Sequence, residues 1–178
     1  MTASFSVAQK IETYMTLPAS ALMTTQGTYT GQNIGAGRID RVITGAKQTI
    51  LMSDLISFCI LLAVYIFAKP IVTMFGLGTE AVGYCTAHIR CVAICLILFA
   101  SYFPILGLFQ GANDALFSTL VATGALAMRV VTTHLLQRIP AIRYRMIWWN
   151  MLFGWGLGCT ITWIHFLRGK WMRKQQSR

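Results

Sequence analysis

The stretch from Gln48 to Ala68 constrains this chain more than any other feature. It is apolar apart from a few small polar residues and Asp54, and Lys47 and Lys69 bracket it. A helix rises 1.5 Å per residue, so about 20 such residues cross a hydrocarbon core of ~30 Å. Three further runs have that length. Cys91 to Phe109 is uncharged and contains Pro104, with a helix start expected upstream near Ala81; Ala115 to Leu136 contains Arg129 and His134; Met146 to Leu167 is flanked by basic residues on both sides. The runs are continuous rather than alternating, which disfavours a β-barrel. Only 11% of the residues are charged, against about a quarter in soluble domains. A water-soluble globular enzyme does not fit, and neither does a disordered chain. The expected class is an all-α integral membrane protein.

The N-terminal stretch, Phe5 to Ile34, is more polar, with Lys10, Glu12, Pro18 and many threonines, yet Met15 to Ile34 carries no charge. Backbone inside a bilayer must be paired internally, so this stretch reads as a fifth helix whose polar positions face protein or water. Pro18 lacks an N–H to give the Tyr14 carbonyl, so a kink is expected there. The expected spans are 5–34, 48–68, 81–109, 115–136 and 146–167. Short connections join them at Gly35–Lys47, Pro70–Glu80, Gly111–Asp114 and Gln137–Arg145, and a basic, frayed tail occupies 169–178. No signal peptide is legible at the start.

The net charge of +10 sits beside apolar runs rather than on a solvated face. The lipid bilayer is therefore the expected partner, and nucleic acid is not. Arg38, Arg41, Lys47, Arg168, Lys170, Arg173, Lys174 and Arg178 fall on one side of the membrane; Lys10, Lys69, Arg90, Arg138, Arg143 and Arg145 fall on the other. The richer side is expected to be cytoplasmic. This places the C-terminus and the Gly35–Lys47 connection inside a multi-pass cell (inner or plasma) membrane protein. Five spans then put the N-terminus outside with no signal to carry it there, so the chain is expected to be the rear part of something larger.

Chemistry is sparse. Cys59, Cys85, Cys91, Cys95 and Cys159 are expected to be free thiols. Cys85, His88, Cys91 and Cys95 share an arc of about 120° on a helix, but zinc sites more often pair C-x-x-C motifs across a loop. Helix packing is the expected role, with no metal and no cofactor. His134 and His165 stand alone, no nucleophile–His–acid set is legible, and neither nucleotide-binding glycine motif is present. An enzyme is not expected.

Glu12 is the carboxylate that matters most. Ionisable groups within spans tend to line pathways, and burial favours the protonated carboxyl, which suits proton exchange. The plainer alternative pairs Glu12 with Lys10 or Arg90 near the outer interface. On a period of 3.6 residues, Gln9, Glu12, Thr16 and Thr24 form one polar face that would line a cavity. Asp54 reads as an interfacial anchor near the cytoplasmic face. Arg129 reads as structural, facing inward to a carboxylate or to helix-end carbonyls. Gly27/Gly31/Gly35, Gly107/Gly111 and Gly154/Gly158 repeat every four residues, the spacing of close helix contacts, with Gln32 and Asn33 placed to bond across the first groove. Trp148, Trp149, Trp163 and Trp171 are expected to mark the interfaces.

The segment Gly31-Gln-Asn-Ile-Gly-Ala-Gly-Arg-Ile-Asp-Arg41 resembles the Q-N-x-G-A-G-x-x-[DE]-R element of the multidrug and toxic compound extrusion (MATE) transporters, which closes the eighth of twelve helices there. Other segments follow in the family's order. Ala8-Gln-Lys-Ile-Glu12 with Leu17-Pro18 is similar to the start of that helix, and Gly107 through Asp114 to the G-x-x-x-G-x-G-x-[ST] turn before the eleventh. Met128-Arg129-Val130 resembles an element within the eleventh helix, and Trp148-Trp149 with Gly154-Trp155 resembles the twelfth. Arg138 to Arg145 departs from the family's glycine-rich outer loop.

The resemblance implies a partial C-terminal lobe, residues 1–168, of an antiporter that exports organic, often cationic, compounds or drugs in exchange for protons or sodium. It marks Gly31, Gln32, Asn33, Gly35, Gly37, Arg41 and Arg129 as motif residues. It also implies a missing N-terminal lobe or upstream fragment as partner, without which the chain does not transport. The alternatives are a lipid-linked oligosaccharide flippase-like protein, or an accessory or structural membrane protein that does not transport.

Overall fold

The computed structural model describes residues 2–136, 146–169 and 171–172. Six helices follow one another: α1 Thr2–Gly35, α2 Ile39–Thr73, α3 Thr79–Leu98, α4 Tyr102–Gly111, α5 Ala115–Leu136 and α6 Met146–Arg168. All regular structure among the described residues is helical. Three helices, α2, α3 and α5, are long and apolar enough to cross a membrane. Helices α1 and α6, at 34 and 23 residues, have the length but not that apolarity. The chain is a helical membrane protein, and among the described residues three of its helices have both the length and the composition of a span.

Surface and interior are arranged for lipid. Helix α2 buries Gly45, Ala46, Ser53, Ser57 and Ala68, while Leu51, Leu55, Phe58, Leu62 and Ile66 are exposed at helical spacing. Lipid tails are as apolar as leucine, so large side chains gain little by turning inward, and small ones let helices approach. Three clusters fill the interior, two of them at opposite ends. Ala8, Ile11 and Met15 of α1 meet Val64, Ala68 and Val72 of α2 and Cys85, Ile89 and Val92 of α3. At the opposite end Val42 and Ala46 meet Ile105, Phe109 and Trp171. The chain therefore runs up and down between these ends, with α3 and α4 together making one passage.

The junctions differ from expectation in instructive ways. The Gly35–Lys47 connection is a single turn, and α2 starts at Ile39 and runs for 35 residues. Asp40, Arg41 and Lys47 are exposed on its first turns. Charge here marks where the helix leaves lipid, not where it begins. Asp54 consequently lies about 22 Å along α2 from Ile39, exposed near mid-helix rather than close to one end. Helix α2 also continues through Pro70 to Thr73, and α1 is continuous through Pro18.

Gly37 explains the sharp first turn. Its φ is 70°, the Arg38 N–H donates to the Asn33 carbonyl at 2.8 Å, and the Gly37 N–H donates to the Ile34 carbonyl at 2.9 Å. This is a Schellman cap, which needs a left-handed residue just past the helix and selects glycine there. The turn after α4 repeats it. Asn113 has φ 58°, and the Asp114 N–H donates to the Phe109 carbonyl at 2.9 Å. Asparagine, the next most tolerant residue, stands where the family pattern carries its third glycine.

The expected single span 81–109 is two helices. The break falls at Phe99–Ser101, and Pro104 causes it. Proline has no N–H for the carbonyl four residues back, and that carbonyl, of Ala100, instead accepts a hydrogen bond from Ser53 Oγ of α2 at 2.8 Å. On the other side Trp163 Nε1 of α6 donates to Ser101 Oγ at 2.8 Å. The break is stitched from both sides. Trp163 is half-buried, with its N–H turned inward to the break. Trp171 is buried, with its ring stacked on Phe166, so the tail is packed at least to that point. The connection 137–145 and the side chains of Trp148 and Trp149 lie outside the described residues.

Candidate functional site

The first third of α1 packs on α3. Ala8, Ile11 and Met15, spaced three and four apart, are its buried stripe, and Glu12 lies beside that stripe. Glu12 Oε2 is 3.3 Å from Nε2 of His88 on α3. The His88 side chain is 2% exposed and that of Glu12 21%. The second ring nitrogen, Nδ1, is buried without a protein partner. Helix α3 holds the imidazole rigidly, because Cys85, Ile89, Val92 and Cys95 around it are buried.

Neither expected partner of Glu12 is used. Lys10 is exposed. Arg90 points to α2, where its Nη2 donates to the Tyr65 carbonyl at 3.4 Å and its guanidinium lies 5.3 Å from the Tyr65 ring centroid. The residue that sequence reasoning missed is His88, read only as one position of a cysteine-rich arc. Among the described residues no group of three or more His, Cys, Asp or Glu is placed to hold a metal ion.

Of the other three cavity candidates, Thr16 is half-buried one turn from Glu12, and its hydroxyl donates to the Glu12 carbonyl at 3.1 Å. Gln9 and Thr24 are exposed and are not brought to the pair. The outward face of α1 is nevertheless polar. Thr13, Ser20, Thr24, Thr25 and Thr28 each donate to a carbonyl three or four residues back. Each hydroxyl proton is thus satisfied within the helix, which leaves a weakly polar surface of low desolvation cost.

Glycine contacts fix where α1 sits. Gly27 and Gly31 face Gly107 and Gly111 of α4. A β-carbon at Gly107 would collide with the Met23 carbonyl, and one at Gly111 with the Gly27 carbonyl. Gly35 has open space around it and takes no part. Gln32 is exposed, and Asn33 Nδ2 donates to the Tyr29 carbonyl of its own helix at 2.8 Å, so neither bonds across the groove. Buried Gln26 bonds to a different helix, α2. It accepts from Thr49 Oγ1 of α2 at 2.7 Å and donates to Thr30 Oγ1 at 3.1 Å. Arg41 is exposed on the first turn of α2. Arg129 meets an amide rather than a carboxylate: its Nε donates to Asn150 Oδ1 of α6 at 3.0 Å.

A family model described as MatE matches residues 2–135. This chain belongs to the MatE family. The match takes in α1 to α5, and with them the glycine seam, the Schellman turns and the Glu12–His88 pair. No curated protein and no solved structure matches the chain. MatE proteins are transporters, so in kind the chain is a membrane transport protein.

Proposed function

We propose that this chain forms the ion-coupling part of a secondary antiporter that moves organic, often cationic, compounds out of the cell as protons enter. The observation that carries the reading is the Glu12–His88 pair, a half-buried carboxylate 3.3 Å from a buried imidazole. Both groups exchange protons. Protonating Glu12 removes the charge that holds His88, and so changes the electrostatics between α1 and α3. Hard cations such as sodium favour a shell of oxygen ligands, and here the nearest partner of the carboxylate is nitrogen. Protons are therefore the coupling ion favoured by this geometry. The outward threonine face of α1 would border the substrate path.

The order of the family motifs supports reading the chain as the equivalent of the last five of twelve helices. Alternating access in such folds rocks one lobe against another. The Gly35–Ile39 turn and the C-terminus then face the cytoplasm of a plasma or inner membrane. A thiol-reactive reagent that does not cross the membrane should miss a cysteine placed at Arg41 in intact cells and label it after lysis. Labelling in intact cells would reverse the topology.

The decisive test is ethidium efflux in a drug-sensitive bacterium. The chain alone is expected to stay at the vector level. Co-expressed with a seven-helix N-terminal segment of a MatE transporter, it should support efflux that collapses with the proton gradient. Glu12→Gln should abolish that efflux and His88→Gln should weaken it, with expression unchanged. Efflux insensitive to Glu12→Gln, or driven by sodium alone, would overturn the reading.

A further inference from the structure

Arg129 lies in the third quarter of α5, a helix whose Leu126, Val130, Val131 and Leu135 are exposed as a lipid-facing surface. It opens onto a groove of about 340 Å³ between α5 and α6, lined also by Leu126, Val130, Thr133, His134 and Asn150. The side chain is held in place there. Its Nε donates to Asn150 Oδ1 at 3.0 Å, Asn150 Nδ2 donates to Thr133 Oγ1 at 2.8 Å, and that hydroxyl donates to the Arg129 carbonyl at 2.7 Å. Gly154 makes room for the stem, since a β-carbon there would collide with it. The anchoring uses Nε alone. Nη1 and Nη2 make no hydrogen bond to any described residue.

Among the described residues none supplies a counter-charge to this guanidinium. All 5 acidic residues lie at or before Asp114. Glu12 is paired with His88 and Asp114 with His165, while Asp40, Asp54 and Glu80 are exposed on α2 and α3. A cation at this depth needs an anion or water. Asn150 lies four residues into α6, about 6 Å from its start, which brings the fork within reach of the headgroup layer. A planar fork with two nitrogens unbonded among the described residues matches phosphate oxygens in bidentate fashion, and the groove beside it joins aliphatic Leu126 and Val130 to polar Thr133, His134 and Asn150.

We propose that this groove binds one anionic phospholipid, with its phosphate on Nη1 and Nη2 of Arg129 and an acyl chain along Leu126 and Val130. Asn150, Thr133 and Gly154 are positioning residues for the guanidinium. The site stands apart from the Glu12–His88 pair and does not depend on transport.

Native mass spectrometry of the full chain in mild detergent tests this, with phosphatidylglycerol, phosphatidylcholine and inorganic phosphate as separate probes. The expected result is one phosphatidylglycerol retained per chain, with neither other probe retained. Arg129→Gln should weaken retention about tenfold, as for the loss of charge-assisted hydrogen bonds. Leu126→Trp keeps the charge and fills the groove, and should weaken it similarly. Arg41→Gln, a basic change at the other end of the molecule, should leave it unchanged, and circular dichroism should show equal helicity in all variants. Undiminished retention in both groove variants would overturn the proposal. So would equal retention of phosphatidylcholine, or displacement of the lipid by inorganic phosphate.

Discussion

Two of the seams in this bundle, α1 on α4 and α5 on α6, are built on opposite principles. Between α1 and α4 the contact is mainly backbone on backbone: Gly107 and Gly111 lie against the Met23 and Gly27 carbonyls, with only the Thr30 β-carbon beside Gly111. Between α5 and α6 the contact runs through side chains, with Arg129, Asn150 and Thr133 linked in a chain and the Arg129 stem laid over Gly154. In water both would be secondary to hydrophobic burial. In lipid that driving force is absent, and helices associate by close packing and by hydrogen bonds. The first seam has no soft element to yield. The second rests on an arginine stem, which can adjust by small side-chain rotations where a backbone carbonyl cannot. A glycine is therefore best judged by what faces it, a backbone carbonyl or a side-chain stem.

The largest effect is expected at Gly107. Leucine there meets the Met23 backbone, which cannot rotate away, and should cost ~3 kcal/mol or more. Monodisperse yield in detergent should collapse, whereas leucine at Gly124, which has open space around it, should leave yield intact. Equal yields would dissolve the distinction between the seams. Gly154→Val comes next. It displaces mainly the arginine stem, with the Ala125 carbonyl oxygen 3.2 Å from the new β-carbon as a lesser contact, so a loss of ~1–2 kcal/mol is expected, read as a lower midpoint in thermal unfolding. A loss as large as that of Gly107→Leu would show that Arg129 is not free to move.

Asn150→Leu removes the link between Arg129 and Thr133 and should cost ~1 kcal/mol, in the range of interhelical hydrogen bonds in membranes. Combined with Arg129→Gln, the two losses should be clearly less than additive; simple additivity would mean the two residues are not coupled. The smallest effect belongs to Gly31, which sharpens the comparison from within the first seam. Its β-carbon would stand 3.5 Å from the Gly111 carbonyl oxygen, an ordinary contact. Gly31→Ala should change stability by less than ~0.5 kcal/mol, and a severe loss would place the seam's tightest point elsewhere.

The class of this protein was determined by sequence alone. Apolar runs such as Gln48–Ala68 force helices on any chain in a bilayer, because the backbone there has no other partner. The basic residues at 38–47 and 168–178 already place those two segments at one end, and Trp171 packs against Val42 and Ala46 there. The glycine spacings were legible as contacts, since missing side chains leave grooves in any helix. Their pairing was not, because Gly27 and Gly107 are eighty residues apart and only the fold shows that they meet while Gly35 meets nothing. The same reason separates Glu12 from its partner. Lys10 is near it in sequence, but His88 is near it in space. A helix sets which residues share a face by its own period, whereas the facing residue is set by how another helix packs, and no local pattern encodes that. The break at Ala100 shows both causes at once: Pro104 removes the donor locally, and Ser53 supplies another from a helix the local sequence cannot name.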